Sequence, residues 1–202
     1  MKTKSAIFSP GRKIRLSKID PSDTGGLTKE KACARIAQLR EPINELLEKL
    51  YAEHQRSLLV IFQAVDTGGK DGAIKALCFG MNPASQELAR FWEPTHAELD
   101  HHFLSRADKV VPSRGMLGVW NRSHYEDVLV ARVHKLVPEN VWKGLYDQIN
   151  RFEEILTENG TTIMKFMLHI SKDEQKERLR ARIENPRKRW KFSVSDLKER
   201  PL

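Results

Sequence analysis

The sequence has little cysteine and no long hydrophobic run, and each shortage excludes a class of protein. Only 2 cysteines occur among 202 residues, which argues against a disulfide-stabilised secreted scaffold and favours a reducing compartment. No apolar run approaches the ~20 residues that cross a bilayer. The first residues, MKTKSAIFSPGRK, are charged and lack the apolar core of a signal peptide. We therefore expect a cytoplasmic globular protein that does not contact a membrane.

Acidic residues are outnumbered by basic ones, and the basic excess is clustered. The sequence has 35 Lys and Arg against 27 Asp and Glu, a net charge of +8. This excess predicts a polyanionic partner such as nucleic acid, nucleotide phosphates or inorganic polyphosphate, with ordinary solubilising charge as the alternative. The basic residues concentrate in residues 172–200, which favours binding. Nucleic acid is the weaker expectation, because only Trp190 and Phe192 could serve there as stacking platforms.

Hydrophobic periodicity predicts strands that alternate with helices. The predicted strands are residues 58–62, 116–120 and 162–169, and the predicted helices are residues 29–54, 69–80, 96–106, 139–158 and 172–183. Capping boxes at Thr95/Glu98 and Ser171/Glu174 mark two of the helix starts. The alternation predicts an α/β fold of three layers, a mostly parallel sheet with helices on both faces. Residues 1–28 are expected to form an N-terminal arm, and residues 29–202 one domain.

The segment FQAVDTGGKDGAIK follows a predicted strand and opens a predicted helix. It departs from the phosphate-binding consensus, because Ala64 replaces the first glycine and Asp71 replaces the Ser or Thr after the lysine. A turn of this kind still points backbone N–H groups and a helix dipole at an anion. Lys70 can reach a terminal phosphate, and three glycines would admit a close approach: Gly68, Gly69 and Gly72. A chance GGK is the alternative.

The missing hydroxyl has a consequence for metal binding. In ordinary P-loops the Ser or Thr after the lysine ligates Mg²⁺. Asp66 lies inside this loop and could take that place, although Asp is also a common turn residue. A carboxylate between Lys70 and a phosphate would be repulsive without a cation. Asp66 therefore predicts a magnesium site.

Two further clusters carry polar and basic residues. The segment GVWNRSHYEDVLVARVH begins at the end of a predicted strand, where α/β sheets place ligands, with a solvated loop as the alternative. Arg178 and Arg182 share one face of a predicted helix, and NPRKRWK follows it. This element fits a basic lid that closes over phosphates, with a solvated basic helix as the alternative.

Taken in this order, the three clusters resemble the family-two polyphosphate kinases, from about residue 8 to residue 202. FQAVDTGGKDGAIK is similar to the Walker A segment of that family, NRSHYEDVLVARVH to its Walker B segment, and NPRKRWKFSVSDLKER to its lid. FWEPTHAELDHHFLSR is similar to its linking segment, with Ser105 where Trp is usual. The resemblance implies a P-loop kinase-like fold with a basic helical lid over about residues 172–200.

The resemblance also implies an activity and a set of site residues. The activity is reversible phosphoryl transfer from inorganic polyphosphate to ADP and/or AMP, giving ATP or ADP, with Mg²⁺ or alternatively Mn²⁺. The implied catalytic residues are Asp66, which also holds the metal, Lys70, Arg122, Arg132, Arg178 and Arg182. The implied phosphate- and nucleotide-binding residues are Gly68, Gly69, Lys70, Asp71, Gly72, Asn121, Arg122, Tyr125, Glu126, Lys188 and Lys191, and Asp196 also matches the lid.

Two of these positions separate branches of the family. Asn121 stands where some members have a catalytic Asp, and Glu126 is similar to the branch thought to accept both AMP and ADP. An ATP-dependent nucleoside monophosphate kinase shares the loop and the lid, and donor preference distinguishes the two activities. The family continues past the lid with further helices and a strand, whereas this sequence stops at Leu202. We therefore expect a C-terminally incomplete domain, and an impaired homologue that binds polyanions is another alternative. An exposed sheet edge and a homo-oligomer are also expected.

Overall fold

The computed structural model describes residues 7–8, 11, 13–135 and 137–193. Within these residues one parallel sheet has the strand order β2-β3-β1-β4. The strands are β1 (Ser57–Ala64), β2 (Gln86–Arg90), β3 (Leu117–Asn121) and β4 (Thr161–Leu168). The predicted α/β class with a mostly parallel sheet is confirmed.

Helices alternate with the strands, after a first long helix, and pack on both faces of the sheet. They are α1 (Lys29–Glu53), α2 (Lys70–Cys78), α3 (His96–Leu99), α4 (Ser105–Asp108), α5 (Tyr125–Val133), α6 (Glu139–Glu158) and α7 (Lys172–Glu184). Single 3₁₀ turns occur at Leu16–Lys18, Pro83–Ser85 and Arg189–Lys191. A search of the described helices for a segment long and apolar enough to cross a bilayer finds none.

The central strand β1 is buried on both faces, as its continuous apolar run predicts. Val60 and Phe62 pack on one side with α1 and α2. Leu59 and Ile61 point to the other side, where α6 and Trp120 of β3 complete the second core. Because β1 is packed on both faces, its carboxyl end provides a well-supported start for the glycine-rich loop.

The outer strand β4 is much more exposed than β1. It pairs with β1 on one side and with no other strand in the described part of the chain. Met164, Phe166 and Met167 are 45%, 41% and 49% exposed. Since successive strand residues point to opposite faces, β4 presents apolar side chains on both faces of the sheet.

The predicted helix over residues 96–106 is wrong, because two four-residue helices replace it. The Thr95/Glu98 capping box opens α3 as expected. The Asp100 N–H then bonds the His96 carbonyl at 3.2 Å, and the Ser105 N–H begins a new turn from the His102 carbonyl at 2.9 Å. The break lets Arg106 turn inward, where its guanidinium is buried.

Two smaller expectations also differ from the structure. Strand β2 was not predicted from the sequence, because it is a short polar strand in which Leu88 is 63% exposed. The second capping box is only half formed. Ser171 accepts from the Glu174 N–H at 3.0 Å, but the Glu174 carboxylate accepts from Arg178 Nε at 2.7 Å.

Candidate active site

The glycine-rich loop joins β1 to α2 through left-handed backbone. Thr67 has φ of 63° and Gly69 has φ of 100°, and the Gly68 N–H bonds the Val65 carbonyl at 3.0 Å. Lys70 is the first residue of α2 and donates from Nζ to the Ala64 carbonyl at 2.9 Å. Burial lowers the pKa of Lys70, and the nearby Arg122 charge lowers it further. A negatively charged phosphate bound in the loop would favour the protonated form of Lys70 and so oppose this lowering of its pKa.

Ala64 fits the loop because it packs against Gly68. A Cβ added to Gly68 would lie 2.4 Å from the Ala64 Cβ and 2.8 Å from the Val65 carbonyl oxygen. The departure from consensus at the first loop position is therefore accommodated by a glycine four residues later. By contrast, a Cβ added to Gly72 meets no described atom within 4 Å, so the fold itself does not require glycine there.

We expect Gly68→Ala to destabilise the protein because the added methyl overpacks the loop. Overpacking of this kind costs about 1–3 kcal/mol, which lowers the Tm of a chain of this size by roughly 2–4 °C per kcal/mol. Thermal unfolding measures the shift. The matched control is Gly72→Ala on the neighbouring turn, for which we expect an unchanged or slightly higher Tm. Equal Tm values for wild type and Gly68→Ala would contradict the packing argument.

Arg122 connects the loop to the start of α5. It lies directly after β3, has φ of 65°, and its N–H bonds the Phe62 carbonyl at 3.0 Å. Its guanidinium lies 3.2 Å from Asp66 Oδ1 and 3.5 Å from Glu126 Oε2. Burial raises the pKa of Glu126, while the Arg122 and Lys70 charges oppose that rise. Arg122 is therefore held between two carboxylates at the edge of the loop.

Asp71, which replaces the usual hydroxyl, joins four segments of the chain. Its carboxylate accepts from Asn121 Nδ2 at 2.9 Å and from Lys191 Nζ at 3.0 Å, and Arg90 approaches it at 3.4 Å. The Lys191 hydrogen bond is the main cause of the lowered pKa of Asp71. The carboxylate thus ties α2 to the ends of β2 and β3 and to the lid. Arg90 was missed because β2 was not recognised as a strand.

Helix α7 places the first part of the lid directly on the loop. Arg178 donates to the Thr67 carbonyl at 3.1 Å, and Gln175 donates to the Asp66 carbonyl at 3.3 Å. Arg182 donates to the Lys191 carbonyl at 3.3 Å and so supports the turn after α7. The Arg178 and Gln175 contacts use only backbone carbonyls of the loop, and the Asp66 carboxylate contacts Arg122 instead.

A cavity of about 730 Å³ lies between the loop, the ends of β2 and β3, and the lid. The predicted site residues that line it are Asp66, Gly68, Gly69, Lys70, Asp71, Asn121, Arg122, Arg178, Arg182, Lys188 and Lys191. Sequence reasoning did not select Arg90, Trp92 or Trp190 as site residues, which also line it. Trp92 and Trp190 are 64% and 77% exposed, and that exposure is not visible in a sequence pattern.

Other predicted site residues do not line this cavity. Glu126 reaches it only through Arg122, and Tyr125 turns its hydroxyl to Glu153 of α6 at 3.0 Å. The Arg132 guanidinium stacks 5.0 Å from the centre of the Trp142 ring, in a separate hollow. Gly72 is also outside the lining, and Asp196 lies outside the described residues. The roles assigned to these residues stay predictions.

Comparison with known proteins agrees with this geometry. The family profile described as Polyphosphate kinase 2 (PPK2) matches residues 26–201. The AMP/ADP-polyphosphate phosphotransferase of Meiothermus ruber is 48% identical over 96% of this chain and 73% of its own length. The ADP-polyphosphate phosphotransferase of Rhodopseudomonas palustris is 40% identical over 99% of this chain and 74% of its own length.

A solved structure of a polyphosphate kinase 2 has the same fold. The crystal structure of polyphosphate kinase 2 from Arthrobacter aurescens superposes with a TM-score of 0.91 at 45% identity, covering 96% of this chain and 70% of that one. The fold and the loop define a phosphotransferase of the P-loop kinase-like class. Within that class, the chain belongs to the polyphosphate kinase 2 family.

Proposed function

We propose that this chain transfers a phosphoryl group from inorganic polyphosphate to ADP and/or AMP. The observation that carries the proposal is the charge of the cavity in the described part of the chain. Seven basic side chains line it, against the two carboxylates of Asp66 and Asp71. The basic residues are Lys70, Arg90, Arg122, Arg178, Arg182, Lys188 and Lys191. A chain of phosphates beside a nucleotide matches this excess of positive charge, and the names of the family relatives agree with it.

In-line phosphoryl transfer needs positioning and charge neutralisation more than a strong base. The loop N–H groups and Lys70 would hold the terminal phosphates of the donor. Arg122 and Arg178, one on each side of the loop, would neutralise the oxygens of the transferred group. The lid would exclude water, so that the acceptor phosphate reacts and hydrolysis does not compete.

Asp66 is the residue that we propose for holding a divalent cation, Mg²⁺ or Mn²⁺. Among the described residues, no group of three or more His, Cys, Asp or Glu side chains is placed to hold a metal ion. Mg²⁺ commonly binds through one or two carboxylates together with substrate phosphates, and the Asp66 side chain is 30% exposed at the cavity. The residues therefore fit such an ion. When bound, the cation supplies further neutralisation of the phosphate charge.

Two proposed roles concern residues around the acceptor. Asn121 donates from Nδ2 to the Asp71 carboxylate. We propose that Asn121 helps to orient the acceptor phosphate, and that its neutral side chain, unlike an aspartate, adds no negative charge there. Glu126, held by Arg122, is proposed to permit both AMP and ADP as acceptors. Arg132 and Tyr125 would act through the position of α5, since neither lines the cavity.

The test is an assay of donor and acceptor with the purified chain. Incubation with Mg²⁺, polyphosphate and either AMP or ADP is expected to give ADP or ATP, detected by chromatography. ATP as donor to AMP, without polyphosphate, is expected to be much slower. Rapid transfer from ATP to AMP with no use of polyphosphate would establish the alternative, a nucleoside monophosphate kinase.

We also propose that the chain forms a homo-oligomer through β4. We propose the cytoplasm, a reducing environment, as its compartment. The edge of β4, which pairs with no further strand among the described residues, and the exposed Met164, Phe166 and Met167 support association. Cys33 and Cys78 are both free cysteines. Met167→Lys is expected to shift the particle mass towards the monomer in light scattering. Leu88→Lys on the opposite edge is the matched control. A wild-type protein that is monomeric at all concentrations would contradict this proposal.

A further inference from the structure

Glu153 of α6 does not line the cavity, and it makes three polar contacts close to the start of α5. Its Oε1 accepts from the Tyr125 hydroxyl at 3.0 Å and lies 3.3 Å from His124 Nε2. Its Oε2 accepts from Lys165 Nζ of β4 at 2.6 Å. The side chain is only 13% exposed. One carboxylate therefore joins α5, α6 and β4.

His124 depends on this carboxylate for its polar environment. The imidazole is 1% exposed and lies among the rings of Trp120, Tyr125 and Phe152, at 5.6, 4.7 and 5.8 Å between ring centres. Neither of its nitrogens makes a well-directed hydrogen bond within the described residues. The contact between His124 Nε2 and the Glu153 carboxylate, at 3.3 Å, offsets part of the cost of burying this ring, since a buried polar group without a partner is costly.

The contacts of Glu153 lie next to a strained residue that reaches the cavity. Arg122 is left-handed, with φ of 65°, and such a conformation persists only when its surroundings hold it. On the β1 side, the Phe62 carbonyl accepts from its N–H, and Gln63 donates to Ser123 Oγ at 2.9 Å. After Ser123, the next two residues of the chain, His124 and Tyr125, are the ones that contact Glu153.

The charge state of the cluster supports a fixed arrangement. Burial acts to raise the pKa of Glu153, but the contacts with His124 and Lys165 outweigh it and lower the pKa. Burial acts to lower the pKa of Lys165, and the Glu153 and Tyr125 contacts outweigh it in turn. Glu153 and Lys165 therefore form a charged pair at neutral pH, and each of the two favours the ionised form of the other.

We propose that Glu153 is a positioning residue for phosphoryl transfer. Acting through His124 and Tyr125, it holds the start of α5 so that Arg122 stays 3.2 Å from Asp66 at the edge of the loop. This inference rests on the proposed function for its kinetic consequence, but its geometry does not. Glu153 itself does not line the cavity and contacts no proposed substrate position.

The test begins with Glu153→Gln, with Glu154→Gln, an exposed neighbour on α6, as control. We expect kcat of Glu153→Gln to fall by roughly tenfold to a hundredfold, because small displacements of a reacting group cost factors of this size. The KM for polyphosphate should change little, since the loop and the lid still bind the phosphates. Glu154→Gln should leave both values unchanged.

A double variant separates positioning from stability. Glu153→Gln removes the carboxylate that pairs with Lys165, whose side chain is 46% exposed and keeps its contact with the Tyr125 hydroxyl, so the Tm should fall modestly. Glu153→Gln/Lys165→Met also removes the unpaired ammonium and should recover part of this loss. We expect kcat to stay low in the double variant, because His124 and Tyr125 are still not held. Recovery of kcat together with Tm would overturn the proposal and leave Glu153 a stabilising residue only.

Crystal structures of wild type and Glu153→Gln test the geometry without any assay. We expect the Arg122–Asp66 contact to lengthen or be lost in the variant. An unchanged contact together with unchanged kcat would refute the inference. If the wild type transfers no phosphoryl group, the proposed function fails, and the two structures alone decide whether Glu153 positions Arg122.

Discussion

Asp66→Asn is expected to lower kcat for polyphosphate-dependent transfer by about a hundredfold to a thousandfold, the range found when one group that stabilises transition-state charge is removed. The Asp66 side chain lies in the cavity beside Arg122, and its own backbone carbonyl is already engaged by Gln175. Asparagine keeps the size of the side chain and removes its charge. The loop should therefore keep its shape while losing its affinity for a divalent cation.

The measurement is initial rate against Mg²⁺ concentration at saturating polyphosphate and ADP. We expect Asp66→Asn to need much more Mg²⁺ for half-maximal rate, whereas Lys70→Met should mainly raise the KM for polyphosphate. Asp147→Asn, an exposed carboxylate on α6, is the control and should behave as wild type. A wild-type rate and wild-type Mg²⁺ dependence for Asp66→Asn would remove this residue from the mechanism.

Arg106→Met is expected to cause the largest loss of stability. The Arg106 and Asp127 side chains are 8% and 15% exposed, and Arg106 NH2 lies 2.8 Å from Asp127 Oδ2. Arg106 also donates to the Trp92 carbonyl at 2.7 Å. Removing one partner of a buried ion pair costs about 3–5 kcal/mol, because the other charge stays buried without compensation. For a chain of this size the Tm should fall by roughly 6–20 °C.

Thermal unfolding and urea unfolding both measure this loss. Arg106→Met/Asp127→Leu should recover part of it, since the unpaired carboxylate is then absent. Arg151→Met, an exposed arginine on α6, should change the free energy of unfolding by no more than about 0.5 kcal/mol. If the double variant is less stable than Arg106→Met, the cost lies in the lost Trp92 contact and not in the unpaired Asp127.

Some elements of the fold were predictable because their signals are local. The apolar runs of β1 and β3 and the long periodic pattern of α6 give the correct element type and bounds within a few residues. The helix over residues 96–106 was predicted wrongly although its capping box is real. The helix breaks after Leu99, and Arg106 is buried against Asp127, which lies 21 residues away in the sequence. A local sequence pattern contains no information about that contact.

The amino-acid sequence by itself determined the class of fold, the glycine-rich loop and the basic lid, because periodicity, turn residues and charge are properties of neighbouring positions. Only the tertiary structure decided which distant side chains meet. It placed Asp71 against Lys191, turned Tyr125 and His124 towards Glu153, and set Arg132 on Trp142 outside the cavity. The physical reason is that these contacts depend on how the parallel crossovers pack helices on the sheet, and the contacting residues are separated by as many as 120 positions.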